Sequence, residues 1–142
     1  MALQWTSALS VGVPDLDAQH QELFRRIDRL LDAMLHNDRS EAGQLLDFLR
    51  AYVVDHFAAE ERLMAEVGYP DAASHIGEHR RFAATLREVD REFLEGGPTA
   101  ALVLKLEQQA VGWLRDHVYF TDVALGRFVH AWRASAAHRA AC

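Results

Sequence analysis

The sequence predicts an all-α protein: an up-down-up-down antiparallel four-helix bundle with a short C-terminal helix or tail. Three observations carry this. Apolar residues recur with a helical period over four long stretches. Proline, glycine and polar clusters fall between those stretches and leave short connections, which force consecutive helices to run antiparallel. Histidines and carboxylates sit on the apolar stripes where a bundle would otherwise place leucines, so the bundle core is also the place to look for chemistry.

The first stripe is Leu23, Phe24, Ile27, Leu30, Leu31 and Met34, and one turn back it reaches His20. Pro14 with Asp15 or Asp17 starts this helix, and His36-Asn37-Asp38 breaks it. The second helix is expected from near Ser40 through Leu45, Leu46, Leu49, Tyr52, Val53, His56, Glu60, Leu63, Met64 and Val67, with Gly68 and Tyr69-Pro70 as its stop. The third opens at Asp71, carries His75, Ile76, His79, Phe82, Leu86, Val89 and Phe93, and ends at Glu95-Gly96-Gly97-Pro98. The fourth opens around Thr99 and turns Leu102, Val103, Leu106, Ala110, Trp113, Leu114 and His117 inward.

Asp122 does not fit a regular continuation. Five residues beyond His117, it would lie about 140° around the helix and about 7.5 Å along it. The fourth helix is therefore expected to end or bulge around Val118–Thr121, bringing Asp122 back to the centre before a shorter helix from about Val123. Ala134–Cys142 is weakly patterned and reads as a frayed tail.

A chain of 142 residues, 50% hydrophobic and 25% charged, fits one globular domain over 1–142, with its core at about 5–128 and an extension at about 129–142. A net charge of −6 without a basic stripe argues against nucleic acid as a partner. No basic segment followed by an apolar run opens the chain, and no apolar run approaches the roughly 18 residues of a membrane span. No membrane insertion, a cytoplasmic location and a monomer are the expectations. Cys142, the only cysteine, excludes an intrachain disulfide; it reads as a frayed terminus or as an exposed thiol able to link two chains.

His20, His56, Glu60, His75, His79, His117 and Asp122 are the candidate metal ligands. Two of the pairs, His56 with Glu60 and His75 with His79, are four residues apart and so lie one above the other on one helix face. A single inward histidine is more often a hydrogen-bonded core residue than a ligand. Seven such groups on inward faces would cost several kcal/mol each if left unpartnered, and a metal centre removes that cost. One ion does not take seven ligands of this kind. Two octahedral ions sharing two bridging carboxylates and one bridging oxide or hydroxide would leave one position open, enough for a small molecule such as dioxygen. The Glu-x-x-His pairs of carboxylate-rich di-iron proteins are absent, as are His-Glu-x-x-His, Cys-x-x-Cys and a glycine-rich phosphate loop. A nitrogen-rich shell with two anionic bridges favours reversible binding over substrate oxidation.

The segments Val11-Gly12 through Asp17-Ala18-Gln19-His20, His56-Phe57-Ala58-Ala59-Glu60-Glu61, His75-x-x-x-His79 and Trp113-Leu114-x-x-His117-x-x-x-x-Asp122 resemble the ligand signature of the hemerythrin family in its bacterial single-domain form. The resemblance runs from about Trp5 to Phe128. It implies a non-haem centre of two iron ions that binds dioxygen reversibly, for storage or delivery. His75, His79 and His117 would hold the six-coordinate iron, His20 and His56 the iron with the open position. Glu60 and Asp122 would bridge the two, and the proton held at the bridge would pass to bound dioxygen. It further implies a dry apolar pocket at the open position, walled by Leu114 and Leu23 with Phe57, Trp113 and Val118 nearby, because entering water promotes irreversible oxidation.

His36, His130 and His138 read as surface residues, and the charge runs Glu78-His79-Arg80-Arg81 and Arg87-Glu88 as solvated helix faces. Tyr52 and Tyr119 either donate hydrogen bonds near the bridges or fill the core. Competing functions are an O2 or redox sensor acting through a separate partner, and a di-iron enzyme turning over peroxide or nitric oxide.

Overall fold

The computed structural model describes residues 3–141, so the readings of Cys142 lie outside it. A turn of 3-10 helix at Ser7–Leu9 precedes α1 (Pro14–Leu35), α2 (Arg39–Val67) and α3 (Ala72–Gly96). The fourth rod is built from α4 (Ala100–Lys105), a π-helical segment π1 (Leu106–Val111), α5 (Gly112–Asp116), a second π segment π2 (His117–Asp122) and α6 (Val123–Ala141). No strand occurs among the described residues, and no helix there is long and apolar enough to cross a membrane. The four-helix bundle expected from the stripes is the fold.

Helix starts follow the local chemistry. Pro14 occupies the first turn of α1, where its missing N–H is harmless. Asp38 caps α2 by accepting from the Glu41 amide at 3.0 Å, so that helix starts at Arg39, one residue earlier than expected. Thr99 caps α4 by accepting from the Leu102 amide at 3.1 Å. Gly68 ends α2 with φ 65°, a left-handed conformation that glycine adopts without strain.

The apolar stripes meet in a core that includes Leu23, Phe24, Ile27, Leu30, Leu49, Phe82, Leu106 and Leu114. A second cluster, Val11, Val13, Leu16, Met64, Val67, Leu125 and Val129, closes the end of the bundle where α6 crosses the N-terminal arm. The chain just beyond Phe128 is thus packed against the N-terminal arm. Val129 is fully buried, His130 Nε2 lies 2.9 Å from the Gly12 carbonyl oxygen, and α6 stays helical to Ala141. Residues 137–140 near its end are exposed.

The contact is closest at Gly126, where an added methyl would overlap the backbone carbonyl of Val11. Gly126→Ala is accordingly expected to cost about 1–3 kcal/mol, the usual range for overpacking. Thermal unfolding checks this; an unchanged melting temperature would show that the arm yields.

The fourth rod does not end before Asp122. At His117 φ is −60° and ψ −47°, and at Val123 −62° and −39°, so right-handed helix runs through both junctions. What changes is the hydrogen-bond step: the Val123 amide donates to the carbonyl of Val118, five residues back. Of the two expected forms of irregularity, the bulge is the one present, as one wide turn with no break in the rod.

Candidate metal centre

The wide turn decides the site. In a helix closed by five-residue steps, positions i and i+5 come nearly in line, so His117 and Asp122 share a face that a regular α-helix would deny them. His20 arrives from α1, His56 and Glu60 from α2, and His75 and His79 from α3. All seven side chains are buried, none more than 3% exposed.

Their ligand atoms fall into two groups, each within 4.8 Å: Glu60, His75, His79, His117 and Asp122 in one, His20, His56, Glu60 and Asp122 in the other. Both carboxylates belong to both groups, and each divides its oxygens between them. Glu60 Oε2 lies 3.0 Å from Nε2 of His20 and of His56, whereas Oε1 lies 3.2 Å from His75 Nε2 and 2.8 Å from His79 Nε2. Asp122 Oδ2 lies 3.1 Å from His20 Nε2, and Oδ1 lies 3.0 Å from His75 Nε2 and 3.1 Å from His117 Nε2. Two carboxylates thus stand between three imidazoles on one side and two on the other.

Without a cation the polar groups do not satisfy each other. His117 Nε2 and both Asp122 oxygens are buried and lack any hydrogen bond of acceptable geometry, despite lying near one another. Burial works against charge on His20, but the Asp122 and Glu60 carboxylates outweigh it and raise its pKa to about 10. The same balance raises His75 to about 9. Burial pushes the carboxyls of Glu60 and Asp122 toward higher pKa. The imidazoles around them prevail, and hold Glu60 well below its ordinary range and Asp122 below its own. The site is therefore a buried knot of charge, with nitrogen and oxygen donors facing one another where a cation would serve both. That donor set fits a pair of metal ions.

Three of the five outer nitrogens are held too, while Nδ1 of His20 and of His75 has no partner. His56 Nδ1 donates to Gln19 Oε1 at 2.7 Å, His79 Nδ1 to Glu61 Oε2 at 2.9 Å, and His117 Nδ1 to Glu78 Oε1 at 2.9 Å. Placing the proton on Nδ1 leaves Nε2 as the inward lone pair and fixes each ring's orientation. Thr121, within π2, also donates to Glu78, at 2.9 Å, and so ties the wide turn to α3. Glu78 is therefore not merely a solvated surface charge.

Aromatic rings wall the three-histidine side. Phe57 stacks on His79 with centroids 3.8 Å apart, and Trp113 on His117 at 4.5 Å. Leu23, Leu114 and Val118 are buried in the same apolar cluster as Phe57, while Trp113 is half-buried at its edge. Neither tyrosine serves the bridges: Tyr52 donates to the Gln19 carbonyl at 3.2 Å, and Tyr119 is 49% exposed. His36 and His130 are exposed, and so is His138 on the last turn of α6.

Against this geometry the relatives are informative. The family model for the hemerythrin HHE cation binding domain matches residues 11–127. The chain belongs to the hemerythrin family. It is 34% identical over 128 residues to a bacteriohemerythrin of Methylococcus capsulatus, covering 89% of this chain and 96% of that protein. It is 32% identical over 118 residues to a myohemerythrin of Riftia pachyptila, covering 83% and 86%. A crystal structure of wild-type hemerythrin superposes with a TM-score of 0.79 at 30% identity, covering 91% of this chain and 98% of that one. The family's description names cation binding, and the two ligand groups lie within the matched span.

Proposed function

We propose that this hemerythrin binds dioxygen reversibly at a non-haem di-iron centre, for storage or delivery. The observation that carries the reading is the division of the Glu60 and Asp122 oxygens between two sets of imidazoles, the arrangement required of carboxylates that bridge two ions. His75, His79 and His117 would hold one iron and His20 and His56 the other, with Glu60 and Asp122 shared between them. With an oxide or hydroxide as a further shared ligand, the two-histidine side would keep a position free. The pair would supply the redox couple to which dioxygen binds.

The chain's own part is to orient, neutralise and exclude. Gln19, Glu61 and Glu78 hold three imidazoles with Nε2 inward. Among the chain's own donors, Glu60 and Asp122 contribute only two negative charges beside five neutral imidazoles, which favours return of the ligand over deeper oxidation. Leu23, Leu114 and Val118, none more than 1% exposed, keep water from the open position, with Phe57 and Trp113 bracing the imidazoles beside them. Neither a sensing role nor turnover of peroxide or nitric oxide has a structural observation in its favour.

The test is the visible spectrum of the iron-loaded protein, reduced without air. A charge-transfer band that appears with dioxygen and vanishes on its removal supports the reading. Direct conversion to an oxidised spectrum, with no return, opposes it. Leu114→Ala is expected to open a cavity at a cost of about 2–5 kcal/mol and to admit water. Its dioxygen-dependent band should decay several-fold faster than that of the wild type; an equal decay rate would remove Leu114 from the pocket.

A further inference from the structure

A cleft of about 250 Å³ opens between α3 and π2, and its walls include Tyr69, Asp71, Ser74, His75, Glu78 and Thr121. It meets the buried centre at His75, which is both a wall of the cleft and one of the seven converging side chains. The larger cleft beside π1, walled by Arg81, Gln108 and Arg115 among others, touches none of the seven.

Three features point to a cation as its occupant. The lining offers carboxylate and hydroxyl oxygens and no lysine or arginine. Asp71 stands at the start of α3 but makes no capping bond to it, so the usual structural use of an aspartate there is missing. His75 is 1% exposed, and its Nε2 is turned inward to Glu60 and Asp122 at 3.2 and 3.0 Å. Its opposite nitrogen, Nδ1, is buried and has no partner, whereas Nδ1 of His56, His79 and His117 each has one; Nδ1 of His20 is also unpartnered, but His20 does not line the cleft. The negative potential is felt locally: burial first, then the charges of Asp71, Asp122 and Glu78, hold the Tyr69 phenol above its ordinary pKa.

We propose that this cleft is the port by which a hydrated divalent cation reaches the centre. Asp71 collects the ion at the mouth, Ser74 and Glu78 replace part of its hydration with oxygen, and the unpartnered edge of His75 forms the inner wall. Oxygen donors outside and nitrogen donors inside form a gradient suited to ferrous ion, which sheds water before it takes imidazole. The inference rests on the reading that the seven residues hold metal.

The experiment measures the rate of ferrous ion uptake by the metal-free full-length chain under argon, at low and high salt, together with the final iron content. Asp71→Lys is expected to slow uptake about tenfold at low salt, with the deficit shrinking as salt rises, while Asp32→Lys, the same charge change toward the other end of α1, stays within about twofold of wild type. Ala124→Trp, on the exposed lip of the cleft, should slow uptake at every salt concentration. All three variants should finish with the iron content of the wild type. Equal slowing by Asp71→Lys and Asp32→Lys, or wild-type uptake by Ala124→Trp, would overturn the port. A wild-type chain that never reaches two irons would overturn the reading beneath it.

Discussion

Glu60→Ala is expected to abolish paired iron binding. Glu60 is fully buried and touches four of the five imidazoles, with Nε2 of His20, His56, His75 and His79 at 3.0, 3.0, 3.2 and 2.8 Å. No neighbour can replace it, since the adjacent Glu61 already faces outward to His79 Nδ1. Its loss removes an anionic ligand from both positions at once and leaves imidazoles to repel one another. Because changing an outer partner of a metal ligand already costs about 10–100-fold in affinity, losing a shared bridge should cost at least about 100-fold. Metal analysis should find fewer than two irons per chain and the spectrum should lack the dioxygen-dependent band. Glu61→Gln, which keeps an acceptor for His79, should retain both. A Glu60→Ala protein with two irons and reversible dioxygen binding would show that Asp122 alone suffices as a bridge.

Removing the metal should make stability strongly dependent on pH, in a direction the charges fix. In the metal-free protein His20 and His75 have pKa values of about 10 and about 9, above the ordinary 6.5. The stability they contribute is therefore complete below 6.5 and is lost as pH rises through those values. Glu60 and Asp122, held below the ordinary carboxylate range, contribute above that range and lose their contribution as pH falls. Mildly acidic solution should suit the metal-free chain best. Metal binding requires deprotonated Nε2, so the iron-loaded protein should gain over the metal-free one as pH rises, and loading near neutral pH should release protons. Thermal unfolding of both forms across this range checks the crossing. A metal-free protein that melts higher in alkaline than in mildly acidic solution would contradict the charge assignment.

The stripes made the bundle legible because each required helix face announces itself every three or four residues, and histidines on those faces stand out against leucine. The irregularity near Asp122 was legible for the same reason: His117 and Asp122 cannot share a face on a regular helix, so their pairing demanded a distortion. The stripe did not say which distortion, and the wide turn leaves the rod intact where an ended helix was equally compatible. The segment π1, with no ligand to betray it, was invisible, since a change of hydrogen-bond step carries no residue signature. The roles of Gln19, Glu61 and Glu78 were missed because these residues lie off the apolar stripe, where polar side chains usually face water. A signal existed nonetheless. Each adjoins in sequence one of the converging residues on its own helix and serves a histidine of another: Gln19 beside His20 serves His56, Glu61 beside Glu60 serves His79, and Glu78 beside His79 serves His117. The packing of Val129 and the close approach at Gly126 carried no signal in the sequence, because only the folded N-terminal arm reveals them.

Two irons on one chain should take up dioxygen and give it back. The direct measurement is a gas titration of the reduced, iron-loaded protein, followed by removal of dioxygen and a second titration. One dioxygen should be taken up for each iron pair, and the same quantity on the second pass. Consumption of dioxygen with no return, leaving the irons oxidised and the second titration empty, would contradict reversible binding.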